Sequence, residues 1–428
     1  MKILMLSQYY YPEPVAIPHE FAKGMVKRGH TVVSITGFPN YPYGKVFDGY
    51  KQKLWRIEEI DGVKVIRLPL YADHSLSAFK RSAYFLSLAC ASTVLGPLLA
   101  GPIDIIFVFH TLTMGLPAWI LGWLRKKPFV FNLQDLYPES LTTVKMSQES
   151  IVYRSVDKAA KFIYDRASAI SVISPGFKEN VVNKGIDANK IHVIYNWADE
   201  SIYKPVQKDE QLAREHGLIN RFNVVYAGNM GPPQGLRNVV EAAKLLTDIP
   251  QIQFVLIGDG IEKESLLKAV REHNLKNVKF ISRQHASKMT DFYALADGLL
   301  VHLVDEPLFE ITIPGKTQSY LACEKPVLMS VKGDAAQLIL DAGAGMVAKP
   351  SDPFELAKVV RELYRMPSEE RRAMGAKGRS YFLRNLTVDA SIDKYEALFY
   401  KVIDNFKNKD YSLSSNGAEQ KQTHRSLS

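Results

Sequence analysis

The sequence predicts two tandem α/β domains, each a parallel sheet wound with helices on both faces. Short, continuous apolar runs recur with helical stretches between them, which is how strands buried on both faces read. The same alternation starts afresh near residue 200. A chain of 428 residues, 46% apolar and 23% charged, is also too long for one ordinary core and comfortable for two.

In the first half, Ile3–Ser7 is the opening strand, and a helix from about Pro18 to Arg28 stops at Gly29. Strands follow at Thr31–Thr36, Val63–Leu68, Ile105–Phe109, Phe129–Leu133 and Ala169–Ile173. The linker falls near Tyr195-Asn196-Trp197-Ala198-Asp199, so a first domain of residues 1–198 is expected. The second, 199–388, repeats the scheme. Its strands are Asn223–Ala227, Gln253–Ile257, Val278–Ile281, Leu299–Val304 and Pro326–Ser330. Its helices are Leu236–Leu246, Lys263–His273, Ser287–Ala296 and Lys316–Ala322. A late helix takes 389–407, and residues 408–428, rich in Ser, Asn, Gln and Lys, read as a disordered tail.

Composition excludes several classes. Two cysteines far apart, Cys90 and Cys323, leave no disulfide framework and no Cys-rich zinc site. Met1–Leu6 runs straight into a polar and aromatic segment with no small-residue cleavage pattern, so a cytoplasmic protein is expected. The net charge of +9 is lopsided: 23 Lys and Arg against 15 Asp and Glu up to residue 198, then 31 against 30. Such asymmetry points the first domain at something anionic, a membrane or a nucleic acid. Yet the charge is dispersed and no nucleic-acid reading module is present, so no nucleic-acid partner is expected.

One stretch departs from a plain soluble domain. No Asp, Glu, Lys or Arg lies between Arg81 and Asp104, nor from Ile105 to Leu124, where Trp119 and Trp123 precede Arg125-Lys126-Lys127. Spanning a bilayer takes ~20 apolar residues in one helix. Here Pro97, Pro102 and Asp104 interrupt the first stretch, and the second holds a buried-strand pattern. Helices that dip into one leaflet, with Trp and Lys/Arg at the headgroups, are the functional reading; core helices of an α/β domain are the bland one.

Candidate chemistry gathers beyond the strands' carboxyl ends. Gly228-Asn229-Met230-Gly231, with Gln234-Gly235, follows a strand and opens a helix. Glycines there let backbone N–H groups approach a phosphate at a helix N-terminus, although an ordinary βα turn reads the same way. Gly258-Asp259-Gly260 repeats the pattern. In Thr312-Ile313-Pro314-Gly315-Lys316-Thr317 a lysine and hydroxyls stand at a helix start, where an ammonium would neutralise a departing diphosphate. Glu310 would accept hydrogen bonds from sugar hydroxyls, or is a solvated loop charge. In the first half, Asp135 and Glu139 lie four apart beyond a strand, placed for acid/base or hydroxyl-orienting work. Asp135 as a helix cap is the plain alternative, and His110, ending the preceding strand, is an alternative base. No cluster has metal-ligand spacing, so neither metal nor cofactor is expected.

On these motifs the sequence resembles the family 4 retaining glycosyltransferases, whose GT-B fold sets two Rossmann-like doubly wound domains facing a cleft. The resemblance spans about residues 1–405. It rests on Pro12-Glu13-Pro14, Gly37-Phe38-Pro39-Asn40-Tyr41-Pro42, Asp135-Leu136-Tyr137-Pro138-Glu139-Ser140, Tyr226 to Gly231 with Gln234-Gly235, Gly258-Asp259-Gly260, and Pro314-Gly315-Lys316 to Lys325-Pro326. Within the family it looks most like the branch that adds N-acetylated deoxy-sugars, notably L-fucosamine, to O-antigen or capsule units on a polyprenyl diphosphate.

The resemblance implies a nucleotide sugar, with UDP the expected nucleotide, bound by the second domain. The donor residues would be Gly228, Asn229, Gln234, Gly258, Asp259, Pro314, Gly315, Thr317 and Ser319. Asp135, Lys316 and Glu310 would be the catalytic residues. A lipid-linked saccharide acceptor would meet the first domain at His110 and Glu139, at the inner face of the cytoplasmic membrane. Transfer would be metal-independent and would retain anomeric configuration, and the late helix would cross back onto the first domain. Departures stand beside the match. Asn229 and Gln234 occupy positions where many members carry Arg and Lys, and the family's two glutamates, with seven residues between them, become Ile311, beside Glu310, and Ser319. A soluble GT-B enzyme such as a sugar-nucleotide epimerase is the alternative, and a non-catalytic scaffold the third.

Overall fold

The computed structural model describes residues 1–73, 77–140, 147 and 149–425, which fall into two compact units. The first comprises Met1–Ile173, Lys178–Ile194 and the chain from Ile392 onward; the second comprises Ser174–Phe177 and Tyr195–Ser391.

The first unit is built on eight strands: β1 (Lys2–Ser7), β2 (Thr31–Gly37), β3 (Arg56–Ile60), β4 (Val63–Leu68), β5 (Ile105–Phe109), β6 (Phe129–Leu133), β7 (Ala169–Val172) and β8 (Ile191–Val193). They lie in the order β3-β4-β2-β1-β5-β6-β7-β8, every neighbouring pair parallel except the β3–β4 edge. Three helices of this unit matter below: α1 (Ala16–Lys27), α2 (Ala78–Leu99) and α3 (Gly115–Arg125). β5 throughout, and β1 from Ile3 on, are buried on both faces, which is why each carries an unbroken apolar run, Ile105–Phe109 and Ile3–Leu6. β3 was not anticipated: its Glu58-Glu59 pair belongs to an edge strand with only one face covered, so no apolar run announces it.

The second unit carries β9 (Phe222–Ala227), β10 (Ile252–Ile257), β11 (Val278–Ile281), β12 (Gly298–His302), β13 (Val327–Ser330) and β14 (Gly345–Val347). The order is β11-β10-β9-β12-β13-β14, wholly parallel, which is the 3-2-1-4-5-6 winding of a dinucleotide-binding domain. Successive side chains on a strand face opposite ways. Val225, Val255, Leu299 and Val327 therefore join one apolar cluster, while Val224, Phe254, Leu300 and Leu328 join the other. In each sheet the strand order reverses at one point, between β1 and β5 and between β9 and β12, where parallel sheets open a crevice beyond their carboxyl ends.

The last helix runs Val388–Arg425. From Ile392 on it belongs to the first unit, where Tyr395 and Phe399 pack with Phe21 and Phe107. The Asn132 amide donates to the Tyr395 hydroxyl at 2.7 Å, and Glu396 meets His30 at 2.6 Å. The segment 408–425, expected to be disordered, continues this helix; propagation costs little once a helix is nucleated, and no proline interrupts it. Residues 426–428 of that expected tail lie outside the described residues.

Candidate functional site

In the second unit the turns after β9 and β10 are laced together. The Met230 N–H donates to the Asp259 carbonyl at 2.8 Å, and the Glu262 N–H donates to the Met230 carbonyl at 2.9 Å. Gly228 and Gly258 both hold φ of +145°, and a Cβ on Gly258 would overlap the Gly228 carbonyl oxygen. Only glycine allows this approach, which leaves the backbone of both turns bare. Beside them opens a cavity of about 350 Å³ whose lining includes Gly228, Asn229, Gly258, Asp259 and Arg283.

Lys316 begins the helix Lys316–Ala322 and is half-buried, its ammonium 3.8 Å from the centre of the Tyr226 ring. A Cβ on Gly228 would lie 2.9 Å from Nζ, so the ammonium sits in the glycine turn itself. Among the described residues no carboxylate forms a salt bridge with it. Desolvation without a compensating anion pulls its pKa down to about 7. A partly desolvated cation facing bare backbone beside a cavity has the chemistry to receive an anion.

The remaining donor-side residues divide. Asn229 Nδ2 donates to Gln234 Oε1 at 3.4 Å, and the same oxygen accepts the Gly231 N–H at 3.2 Å, so these two amides brace the turn. Asp259 is exposed, near Lys263 at 3.8 Å, and its Oδ1 accepts the Gly260 N–H. The Pro314 carbonyl accepts the Thr317 N–H at 2.9 Å, and Gly315 caps the helix start. Thr317 is fully buried with its hydroxyl unpartnered, while the buried Ser319 hydroxyl donates to the Lys316 carbonyl. Glu310 closes the short helix Pro307–Glu310 and is exposed.

Three contributors were not anticipated. Tyr226 gives Lys316 its aromatic face, and its hydroxyl donates to the Asn229 carbonyl at 2.6 Å. His302, at the end of β12, meets the Gln234 carbonyl at 2.7 Å and the Asn238 amide at 2.9 Å. Burial lowers its pKa to about 4, so the ring is neutral and its Nδ1–H donates. Arg283, two residues past β11, was legible only as a basic residue beyond a strand end.

In the first unit, His110 sits at the switch point beyond β5 with a left-handed φ of 81°, uncommon for a residue with a Cβ. Its Nε2 lies 3.5 Å from Asp135 Oδ2 and its buried Nδ1 is unpartnered. Burial lowers the His110 pKa, and the Asp135 charge opposes that shift. Asp135 is half exposed and Glu139 is not beside it: Lys184 donates to Glu139 at 2.8 Å and Asn180 at 3.2 Å. The two carboxylates four apart therefore part company, one toward solvent and one into an ion pair. Glu13 explains why Pro12-Glu13-Pro14 and the 37–42 segment travel together. Its buried carboxylate accepts N–H groups from Tyr10, Asn40 and Tyr41, tying both loops at the strand ends.

Comparison with known proteins fits this construction. The family model described as "Glycosyl transferase 4-like domain" matches residues 15–197, and that described as "Glycosyl transferases group 1" matches residues 209–381. The chain is a glycosyltransferase of the GT-B fold.

Among curated relatives, the transferase is 28% identical over 336 residues to WcaI of Escherichia coli, assigned by name to colanic acid biosynthesis as a glycosyl transferase. That alignment covers 75% of this chain and 81% of the relative. WbjE of Pseudomonas aeruginosa, also named as a glycosyltransferase, is 26% identical, with 67% of this chain and 70% of the relative covered. Among solved structures, HepE of Anabaena in complex with UDP superposes with a TM-score of 0.71 at 18% identity, over 94% of this chain and 100% of that one.

Proposed function

We propose that this transferase moves a sugar from UDP to a saccharide carried on a polyprenyl diphosphate, with retention of configuration, in the assembly of a surface polysaccharide. The unpaired Lys316 ammonium in the Gly228 turn carries the reading, because a nucleoside diphosphate supplies the anion that site lacks. UDP as the nucleotide is supported by HepE, solved with UDP, and polysaccharide assembly by the name of WcaI. An N-acetylated deoxy-hexosamine such as L-FucNAc is the sugar the sequence resemblance favours.

In the reaction, the bond from C1 of the sugar to the β-phosphate oxygen breaks. The acceptor oxygen bonds to C1 from the same face, and its proton passes to the departing phosphate oxygen. Lys316 offsets the charge that grows on that oxygen. Asp135 and His110 orient the acceptor hydroxyl, and Glu310 is the candidate contact to the donor sugar. On this reading the enzyme works at the inner face of the cytoplasmic membrane.

The test incubates purified enzyme with radiolabelled UDP-, GDP- and dTDP-sugars and membranes bearing lipid-linked acceptor. Label from a UDP-sugar should enter the lipid fraction, with the anomeric configuration of the donor preserved by NMR of the product. Transfer only from GDP- or dTDP-sugars, label only in soluble sugar, or an inverted product would each overturn a stated part of the reading.

A further inference from the structure

We propose that the outward face of α2, extended by the end of α3, docks on an anionic lipid bilayer, with α2 lying in the plane of one leaflet and not crossing it. The inference rests on the lipid-carried acceptor read above and supplies the surface that reaches it.

α2 from Phe79 to Leu99 is long and apolar enough to cross a membrane. Its two faces exclude that. Tyr84, Leu88, Ala89, Ser92 and Gly96 are buried on the side that packs against β2, β4 and α3. Drawing the helix across a bilayer would strip that core and carry the buried Tyr84 and Ser92 hydroxyls into hydrocarbon. The opposite side repeats every fourth residue as Ser82, Leu86, Cys90, Val94 and Leu98, all exposed, with Phe79 beyond its N-terminal end. Phe79 is 82% exposed, Val94 68% and Leu98 78%, whereas a helix facing water carries polar residues on that stripe.

α3 continues the surface with Trp123, 73% exposed, and the exposed Leu116 and Leu124. The two helices are joined where Arg125 donates to the Pro97 carbonyl at 2.6 Å and where Gly96 leaves room for Leu121. Cations rim the patch at both ends, Lys80 and Arg81 at the start of α2, and Arg125, Lys126 and Lys127 at the end of α3. An apolar face with an exposed tryptophan and flanking lysines and arginines fits a leaflet with anionic headgroups. A second copy of the chain fits poorly, since pairing these patches brings cationic rims together.

The experiment uses the full chain with vesicles of phosphatidylglycerol and phosphatidylethanolamine, free of any acceptor. Wild type should sediment with them at low ionic strength, partly release in high salt, and release fully in alkaline carbonate. Bromine on the acyl chains should quench tryptophan fluorescence, an effect lost in Trp123→Phe. The double variant Leu86→Glu, Val94→Glu should bind vesicles at least tenfold more weakly while its UDP affinity stays at the wild-type value. Unquenched wild-type fluorescence, resistance to carbonate, or wild-type vesicle binding by the double variant overturns the proposal. So does a lipid-free dimer that the double variant dissociates, which would assign the face to self-association. Loss of transfer with vesicle binding intact strikes instead at the function proposed above.

Discussion

Desolvation gives Lys316 a pKa of about 7, with the Tyr226 ring beside it and, among the described residues, no carboxylate in a salt bridge with it. A diphosphate entering the Gly228 turn restores the charged form, so binding must draw a proton from solution. With that pKa, about half of the free lysines are neutral at pH 7 and about nine tenths at pH 8. UDP should therefore take up about 0.5 proton at pH 7 and about 0.9 at pH 8, and its apparent Kd should rise about fiftyfold between pH 7 and pH 9. Calorimetry in HEPES, Tricine and Tris at one pH reads the proton number from the slope of binding enthalpy against buffer ionisation enthalpy. Lys316→Met should flatten both that slope and the pH dependence of Kd. Stability gives a second readout with a fixed sign. The unfolded lysine titrates near 10.5 and the folded one near 7, so between those values the unfolded chain holds the extra proton. Ligand-free stability thus rises with pH through that window, by up to about 1.4 kcal/mol per pH unit. No proton uptake by the wild type at pH 8, together with a Kd unchanged from pH 7 to 9, refutes the reasoning.

Gly258→Ala forces a Cβ into the Gly228 carbonyl at φ +145°, and should cost about 2–4 kcal/mol in thermal unfolding and abolish measurable UDP binding. A variant with wild-type Tm and Kd would show that the two turns can separate freely. His302 is neutral down to a pKa of about 4 while an unfolded histidine charges near 6.5; the stability this adds is lost as pH falls from 6.5 to 4, by about 3 kcal/mol. His302→Gln should flatten that limb of the denaturation profile, and an unaltered limb would assign the loss to other groups. Asp135→Asn should lower kcat by about 10²-fold with UDP affinity unchanged, and full turnover in that variant removes Asp135 from the acceptor side.

The parts of the fold that were legible share one physical cause. β1, β5, β6, β9, β10 and β12 are covered on both faces along nearly all their length, and double coverage favours largely apolar runs, broken here only by single polar residues such as Asn132, Asn223 and Gln253. The edge strand β3, with one face to solvent, and the three-residue strands β8 and β14 carry no such run and went unseen. In the candidate site, Gly228, Gly258 and Lys316, singled out because a phosphate-binding turn calls for those residue types, are brought together by the fold. Tyr226 and His302 were not singled out, because an aromatic residue at a strand end reads as core until packing shows which group it faces. Thr317 and Ser319 illustrate the converse. The spacing that made them candidates places them on a helix turn whose hydroxyls face inward, one buried without a partner and one on the Lys316 carbonyl.

An unpaired lysine in a protein interior costs several kcal/mol if it must stay charged. Here the cost is escaped by discharge: at a pKa of about 7 the ligand-free ammonium can give up its proton near neutrality. A carboxylate partner would have kept the lysine charged, but it would also have occupied the place a phosphate needs. Two neutral amides, Asn229 and Gln234, are bonded to each other in the same turn, at positions where the sequence resemblance implies cations. That neutrality matters, because an arginine or lysine at either position would repel the Lys316 charge and push its pKa lower still. On the proposed function, charge in this site is therefore supplied by the act of binding. The diphosphate would be held firmly only with Lys316 protonated, and departure of the nucleotide would return the lysine toward the neutral state that desolvation favours.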